Sequence, residues 1–224
     1  MEALAMVNHW VDKPEWSNDR RLWAFYLTFG HDVDVHEFAA AHQSNLRALR
    51  GLDLVDPPWF HLTIQGVAFT DQVDDEALDR LCDAVADQLA DQPVLELRLG
   101  PPFPDDDAIV IPVAAEPPLE VLRDRLRRVA TQTLDRGELY ALPEPVGGFA
   151  PHITIAYCNA AAPLLSDVND RLAAVGPAEL EVRASHLSLL RLRREPTRWS
   201  WDRETRIPLG RAAAGQAGVE LRTG

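Results

Sequence analysis

The chain alternates between segments whose apolar residues recur at every second position and segments whose apolar residues recur at every third or fourth position. The first spacing is typical of strands with one buried face, and the second is typical of amphipathic helices. The segments that the pattern predicts as strands are 21–29, 59–69, 94–99, 108–113, 152–157, 180–192 and 200–207. The segments that it predicts as helices are 35–49, 74–89, 119–134 and 162–175. Because strands and helices are interleaved throughout, the pattern predicts an α+β fold with α/β-like alternation.

The same pattern predicts one domain. No segment between elements is long enough to act as a linker, so we expect residues 20–209 to form a single unit. Residues 1–19 carry Trp10 and Trp16 around a proline and are predicted to be an irregular N-terminal extension. Residues 210–224 are rich in alanine and glycine and are predicted to be a disordered tail.

A weak internal repeat links two of the predicted strands. One strand contains His61-Leu62-Thr63-Ile64 and the other begins with His152-Ile153-Thr154-Ile155, and a helix follows each strand. Side chains at positions i and i+2 of a strand share a face, so each motif places an imidazole and a hydroxyl side by side. Each copy alone is a weak signal, whereas two copies on equivalent elements are hard to obtain by chance.

Two such strands, packed around a twofold axis, would surround one cavity with two imidazoles and two hydroxyls. A neutral imidazole can accept a proton from water and a protonated one can donate a proton to a leaving oxygen, because histidine titrates near neutral pH. The hydroxyls of Thr63 and Thr154 can stabilise the non-bridging oxygens of a phosphate. The arrangement suits phosphodiester cleavage by His61 and His152, and it requires neither a metal nor a cofactor.

Simpler interpretations stand beside this one. Either histidine with its threonine could be structural on a half-buried strand, and a zinc site would usually need a third protein ligand that has no suitable spacing here. The five remaining histidines have no comparable neighbours in sequence: His9, His31, His36, His42 and His186. Cys82 and Cys158 lack metal-type spacing and are interpreted as small core residues.

Composition limits the partners. The formal net charge is −13, which disfavours a long polyanion such as duplex nucleic acid. We therefore expect a small phosphorylated nucleotide or an RNA terminus as the partner. No stretch is apolar enough to span a bilayer and the N-terminus does not resemble a signal peptide, so we expect a cytoplasmic protein that does not bind membranes. We expect a monomer, although the sequence leaves the oligomeric state open.

The paired motifs resemble those of the two-histidine (2H) phosphoesterase superfamily, the 2′-5′ RNA ligase-like proteins. The resemblance extends over roughly residues 20–209, since the order of elements also fits. It implies a bilobal, pseudo-twofold fold in which two antiparallel sheets, flanked by helices, face a central cleft. It implies hydrolysis of a 2′,3′-cyclic phosphate to a 2′-phosphate, or opening of a related linkage. By position, it implies functional roles for His61, Thr63, His152 and Thr154.

One position departs from the family pattern. RNA-directed members often carry arginine five residues after the second histidine, where this chain has Tyr157. We predict that Trp59 and Tyr157, which lie close to the motifs, stack on a base, although packing in the core explains both rings at least as well. We predict that Arg191 and Arg193, which alternate along a strand, bind a second phosphate, although a solvated edge that resists strand-to-strand aggregation explains the pair better.

Three functions fit these residues: a cyclic phosphodiesterase, a nucleotide-binding module that retains the pocket without the chemistry, and an RNA end ligase that uses the same site in reverse. The phosphodiesterase is the leading hypothesis. The acidic charge of the chain argues against the ligase.

Overall fold

A computed structural model describes residues 4–135, 137–142, 148–176 and 178–210. Ten strands are present in these residues: β1 (Arg21–Thr28), β2 (Leu52–Leu54), β3 (His61–Phe69), β4 (Leu95–Leu99), β5 (Phe103–Pro104), β6 (Ala108–Ala115), β7 (His152–Cys158), β8 (Leu180–Ala184), β9 (His186–Arg194) and β10 (Trp199–Pro208). Four α-helices are present in the same residues: α1 (Val33–Leu46), α2 (Asp75–Gln88), α3 (Leu119–Thr133) and α4 (Leu165–Ala173). The predicted α+β class is confirmed.

The starts of two helices follow from capping chemistry. Asp32 accepts a hydrogen bond from the backbone N–H of Val35 at the start of α1, and Asp74 accepts one from Ala77 at the start of α2. Each carboxylate satisfies one of the four N–H groups that the first helical turn leaves without an intrahelical partner.

The sheet has two antiparallel halves. One half has the strand order β10-β9-β1-β3 and the other has the order β7-β6-β4-β8. The halves meet where β3 pairs with β7. The short strands β2 and β5 pair with β7 and β6. The bilobal arrangement that the resemblance implies is therefore confirmed, with the two sheets joined at a central seam.

The internal repeat corresponds to two β-α-β-α units. The first unit contains β1, α1, β3 and α2, and the second contains β6, α3, β7 and α4. All four helices pack on one face of the sheet and contribute to the main apolar core. We call this side the helix face and the opposite side the cleft face. A smaller apolar cluster on the cleft face includes Leu22, Ala24, Tyr26 and Leu190.

One predicted strand is wrong. The apolar pattern predicts a single long strand over 180–192, but the chain breaks at Ser185 into β8 and β9, which lie in different halves of the sheet. In β8 the core residue Val182 has an even number, whereas in β9 the core residues Leu187 and Leu189 have odd numbers. This change of phase marks the break. The hairpin predicted between this segment and residues 200–207 is confirmed as the pairing of β9 with β10.

The N-terminal extension lies across both halves. Its backbone bonds to the second unit through Met6 and Val7, which donate to the carbonyls of Pro163 and Asp106. Arg194, at the end of β9, donates to the carbonyls of His9 and Val11. The extension therefore connects the two sheet halves.

Some predicted features fall outside the described residues. These are residues 143–147 of the loop before the second motif and residues 211–224 of the predicted tail. Within the described part of the chain, no helix is both long and apolar enough to cross a membrane.

Candidate active site

The two motifs meet at the seam of the sheet. Leu62 of β3 pairs with Ile153 of β7 in antiparallel register. An antiparallel pair has a local twofold axis perpendicular to the sheet, which maps residue 62+n onto residue 153+n. The axis therefore relates His61 to His152. Leu62 and Ile153 point into the core on the helix face, so both histidines lie on the cleft face.

Each imidazole is oriented by its own backbone. His61 donates its Nδ1–H to the carbonyl of Trp59 at 2.7 Å, and His152 donates its Nδ1–H to the carbonyl of Ala150 at 2.8 Å. A carbonyl oxygen can only accept, so these bonds fix the tautomer of each neutral ring. In both rings Nε2 is the atom left for chemistry. No described residue forms a hydrogen bond with either Nε2.

The two histidines differ in exposure. His152 is exposed, whereas His61 is half-buried. Burial lowers the pKa of His61 to about 4; the hydrogen bond to Trp59 opposes this shift and the nearby His152 adds to it. His61 is therefore neutral at neutral pH, with a lone pair on Nε2.

The two threonines lie beside the histidines. Thr154 is buried and Thr63 is half-buried. In each case the strand has a β-bulge directly after the threonine. In β3 the register shifts between the pairs Tyr26–Thr63 and Phe25–Gln65. In β7 it shifts directly after Thr154. A bulge re-aims the neighbouring side chains and is common beside active sites. Each threonine already shares the cleft face with the histidine two positions earlier, and the bulge changes the facing of the residues that follow it.

Buried tyrosines lie next to both threonines. Tyr26 pairs with Thr63 across β1 and β3, and its ring lies 5.1 Å from that of His61 in an edge-to-face contact. Burial raises the pKa of Tyr26, and hydrogen bonding to Thr63 partly opposes this. Burial likewise raises the pKa of Tyr157, where Thr154 is the opposing hydrogen-bond partner. Both hydroxyls thus remain protonated and can orient the threonine hydroxyls.

The family of the chain follows from its similarity to known sequences. The sequence matches the 2′-5′ RNA ligase superfamily over residues 38–196, which is more than half of the chain. The chain belongs to the 2′-5′ RNA ligase superfamily. This is the superfamily of the two-histidine phosphoesterases, so the resemblance that the motifs suggested is confirmed. At this level the protein is an enzyme of the phosphoesterase or ligase-like kind.

Solved structures show the same fold. TT0787 of Thermus thermophilus has 22% identity and a TM-score of 0.62, over 84% of this chain and 97% of that chain. E. coli LigT complexed with 3′-AMP has 15% identity and a TM-score of 0.55, over 84% of this chain and 99% of that chain. The MHV ns2 PDE domain has 12% identity and a TM-score of 0.50, over 76% of this chain and 98% of that chain. No curated protein matches the sequence.

The two residues that are predicted to stack on a base differ in their burial and in their neighbours. Trp59 is half-buried, its ring lies 4.9 Å from that of Trp201, and the Arg198 guanidinium lies 5.7 Å from its ring. Tyr157 is only 5% exposed, and its ring is 4.3 Å from that of His9. Trp59 is at the rim of the site and Tyr157 is beneath it. Base stacking by either ring stays a prediction.

Arg191 and Arg193 lie away from the histidines. Arg191 pairs with Trp23 of β1, whose side chain is in the core on the helix face, so Arg191 and Arg193 project from that face. Arg191 forms an ion pair with Asp202 at 2.6 Å, and Arg193 forms one with Asp19 at 3.2 Å. Binding of a second phosphate by Arg191 and Arg193 therefore stays a prediction. Such a phosphate would lie on the helix face, away from the cleft.

Two residues of the site were not predicted. Tyr26 contacts His61 from β1, and Trp201 contacts it from β10, with ring centroids 5.8 Å apart. Both lie on strands that the apolar pattern predicted, but only the register of the sheet shows that they face the cleft. Among the described residues, no group of three or more His, Cys, Asp or Glu side chains is arranged to hold a metal ion.

Proposed function

We propose that this protein is a metal-independent phosphodiesterase that hydrolyses a 2′,3′-cyclic phosphate to a 2′-phosphate. The observation that carries the proposal is the twofold pair of imidazoles, each with Nδ1–H bound to the carbonyl two residues earlier and Nε2 left for substrate. General acid–base catalysis needs two such groups on opposite sides of one phosphorus.

We assign His61 as the general base. Its lowered pKa keeps Nε2 unprotonated at neutral pH, so it can take a proton from the attacking water. We assign His152, which is exposed on the other side of the axis, as the general acid that gives a proton to the 3′ oxygen. The water oxygen bonds to phosphorus as the bond from phosphorus to the 3′ oxygen breaks. The product is a 2′-phosphate with a free 3′ hydroxyl.

Thr63 and Thr154 would stabilise the charge that develops on the non-bridging oxygens. Their hydroxyls are related by the same twofold axis as the histidines and lie on the same face. Donors that are held in place before the reaction stabilise such charge without reorganisation at the moment of bond breaking. The protonated hydroxyls of Tyr26 and Tyr157 support this orientation.

We propose a small phosphorylated nucleotide, or the terminus of an RNA, as the substrate. E. coli LigT, which shares the fold, has been solved with 3′-AMP, with NADP⁺ and with ATP. The net charge of −13 favours a small ligand over a long polyanion. We also propose that the protein acts as a monomer in the cytoplasm, because one chain supplies both histidines and because Cys82 and Cys158 are free thiols.

The test is hydrolysis of a 2′,3′-cyclic nucleotide followed by phosphorus NMR in the presence of EDTA. We expect the wild-type protein to release the 2′-phosphate, and His61→Ala and His152→Ala each to lower kcat at least about a hundredfold. His36→Ala is the matched control, since His36 is a helix residue whose Nε2 bonds to the carbonyl of Phe29. Activity in either site variant close to that of the control would rule out the assigned roles.

A further inference from the structure

A second cavity adjoins the histidine site. Its volume is about 490 Å³, within the range of ligand pockets. It lies where β1 ends and β9 begins, and its lining includes Thr28, His186, Trp201, Glu204 and Arg206. The catalytic roles assigned above use none of these residues.

Two contacts connect the cavity to His61. Thr28, on the cavity wall, is the cross-strand partner of His61. Trp201 contacts the ring of His61 edge-to-face and also lines the cavity. A group joined by a few bonds to a phosphate at His61 Nε2 would therefore reach the cavity past Trp201.

The walls of the cavity are mixed in character. The indole of Trp201 offers a flat apolar surface, with Pro58 and Phe29 nearby in the lining. The polar side is held in place by internal bonds: Glu204 accepts from the Ser188 hydroxyl at 2.7 Å and from Arg206 Nε at 3.0 Å. A flat apolar wall opposite fixed donors and acceptors suits a planar ring with a hydrogen-bonding edge.

The charges favour such a ring over a second phosphate. Both arginines of the lining are already in ion pairs, Arg206 with Glu204 and Arg183 with Glu96 at 2.9 Å, and Asp32 adds another acidic side chain to the lining. An additional dianion would face the carboxylates of Glu204 and Asp32 at close range. A neutral nucleobase avoids this repulsion, and stacking of a base on an aromatic side chain is favourable for every base.

We propose that this cavity is a nucleobase subsite in which the base of the substrate stacks on Trp201 and its edge meets Glu204, Arg206 and His186. The proposal rests on the proposed function, because it places the substrate phosphate at His61 and His152. It makes the protein selective for nucleotides over phosphates that lack a base.

Binding measured by calorimetry tests the subsite without relying on turnover. Nucleoside 2′-monophosphates are compared with glycerol 2-phosphate, which carries the same phosphate ester without a base. We expect the wild-type protein to bind the nucleotides at least about tenfold more tightly. Ser185→Trp and His31→Trp each place a large ring in the lining from an exposed position, and we expect either to bring the ratio close to one. Ser166→Trp, at an exposed position on α4, is the control and should keep the wild-type ratio.

The outcomes separate the two proposals. An equal affinity of the wild-type protein for both ligands, or a nucleotide preference that survives in both blocked variants, would overturn the subsite. If the nucleotides bind selectively and the blocked variants lose that selectivity, while no 2′,3′-cyclic nucleotide is hydrolysed, then the subsite stands and the phosphodiesterase assignment fails.

Discussion

His61 and His152 make the same hydrogen bond on opposite sides of a local twofold axis. Each donates Nδ1–H to the carbonyl two residues earlier, Trp59 in one case and Ala150 in the other. This hydrogen bond to the local backbone holds each imidazole in a fixed orientation, so no separate carboxylate is needed to orient the ring. The symmetry is not complete, because His61 is half-buried and His152 is exposed.

This asymmetry predicts the pH dependence of catalysis. A general base must be unprotonated, and the pKa of His61 is lowered to about 4, so kcat/KM should persist well below the ordinary histidine range. On the acid side we expect kcat/KM to fall with an apparent pKa near 4. The fall in kcat at low pH should occur at a higher pH than the fall in kcat/KM, because a bound phosphate anion raises the pKa of the imidazole. Initial rates between about pH 3.5 and 8 measure both decreases. A fall in kcat/KM centred near about pH 6.5 would contradict the assignment of His61 as base.

The same pKa shift predicts a change in stability with pH. The folded state resists protonation of His61, whereas the unfolded chain takes up a proton near pH 6.5, so this residue destabilises the fold as the pH falls from about 6.5 towards 4. We expect His61→Gln to gain stability relative to the wild-type protein over that range and to show no such trend above about pH 7. Urea unfolding at about pH 7.5 and about pH 4.5 measures the difference. A difference that does not change with pH would argue that His61 titrates normally.

The threonines should act in the transition state. We expect Thr63→Val and Thr154→Val each to lower kcat about a hundredfold with little change in KM, because the donors act on charge that develops during the reaction. Thr→Ser at either position keeps the hydroxyl and should retain most of the activity. A rise in KM with kcat unchanged would instead show that the threonines only bind the ground state.

Gly66 is predicted to tolerate no side chain. A Cβ at this position would lie 2.5 Å from the carbonyl oxygen of Tyr140, which packs over β3. We expect Gly66→Ala to lower the free energy of unfolding by about 2 kcal/mol, which corresponds to a drop in Tm of roughly 4–8 °C. Gly137→Ala is the matched control, because a Cβ there meets nothing within 4 Å. Equal Tm values for the two variants would show that the 137–142 segment does not pack as described.

The apolar pattern was sufficient to predict most of the fold. Helices and strands alternate where the spacing of apolar residues changes. The paired motifs could be recognised because the same histidine and threonine, two positions apart, recur on two predicted strands. The pattern did not reveal the break at Ser185, because Leu190 and Leu192 of β9 continue the even-numbered apolar series of Val182 in β8, although they lie on the opposite face of the sheet. Two-residue and three-residue strands such as β5 and β2 are too short to produce a periodic signal.

The active site was predictable only in part. His61, Thr63, His152 and Thr154 could be found because i and i+2 positions share a face of a strand. Residues that other strands contribute depend on register. Tyr26 reaches the cleft because it pairs with Thr63, whereas the register of β9 against β1 directs Arg191 to the helix face. The phase of a strand relative to its neighbours is a tertiary property that local sequence does not encode.

The convergence of His61 and His152 on one phosphate can be observed directly by NMR of the histidine side chains. Protein labelled with ¹⁵N at histidine would be titrated with a nucleoside 2′-monophosphate at neutral pH, with assignments from the two His→Ala variants. We expect the Nε2 signals of both histidines to shift together along one binding curve, while both Nδ1 atoms remain protonated. A shift confined to one ring, or two curves with different midpoints, would contradict a single phosphate held between the two histidines.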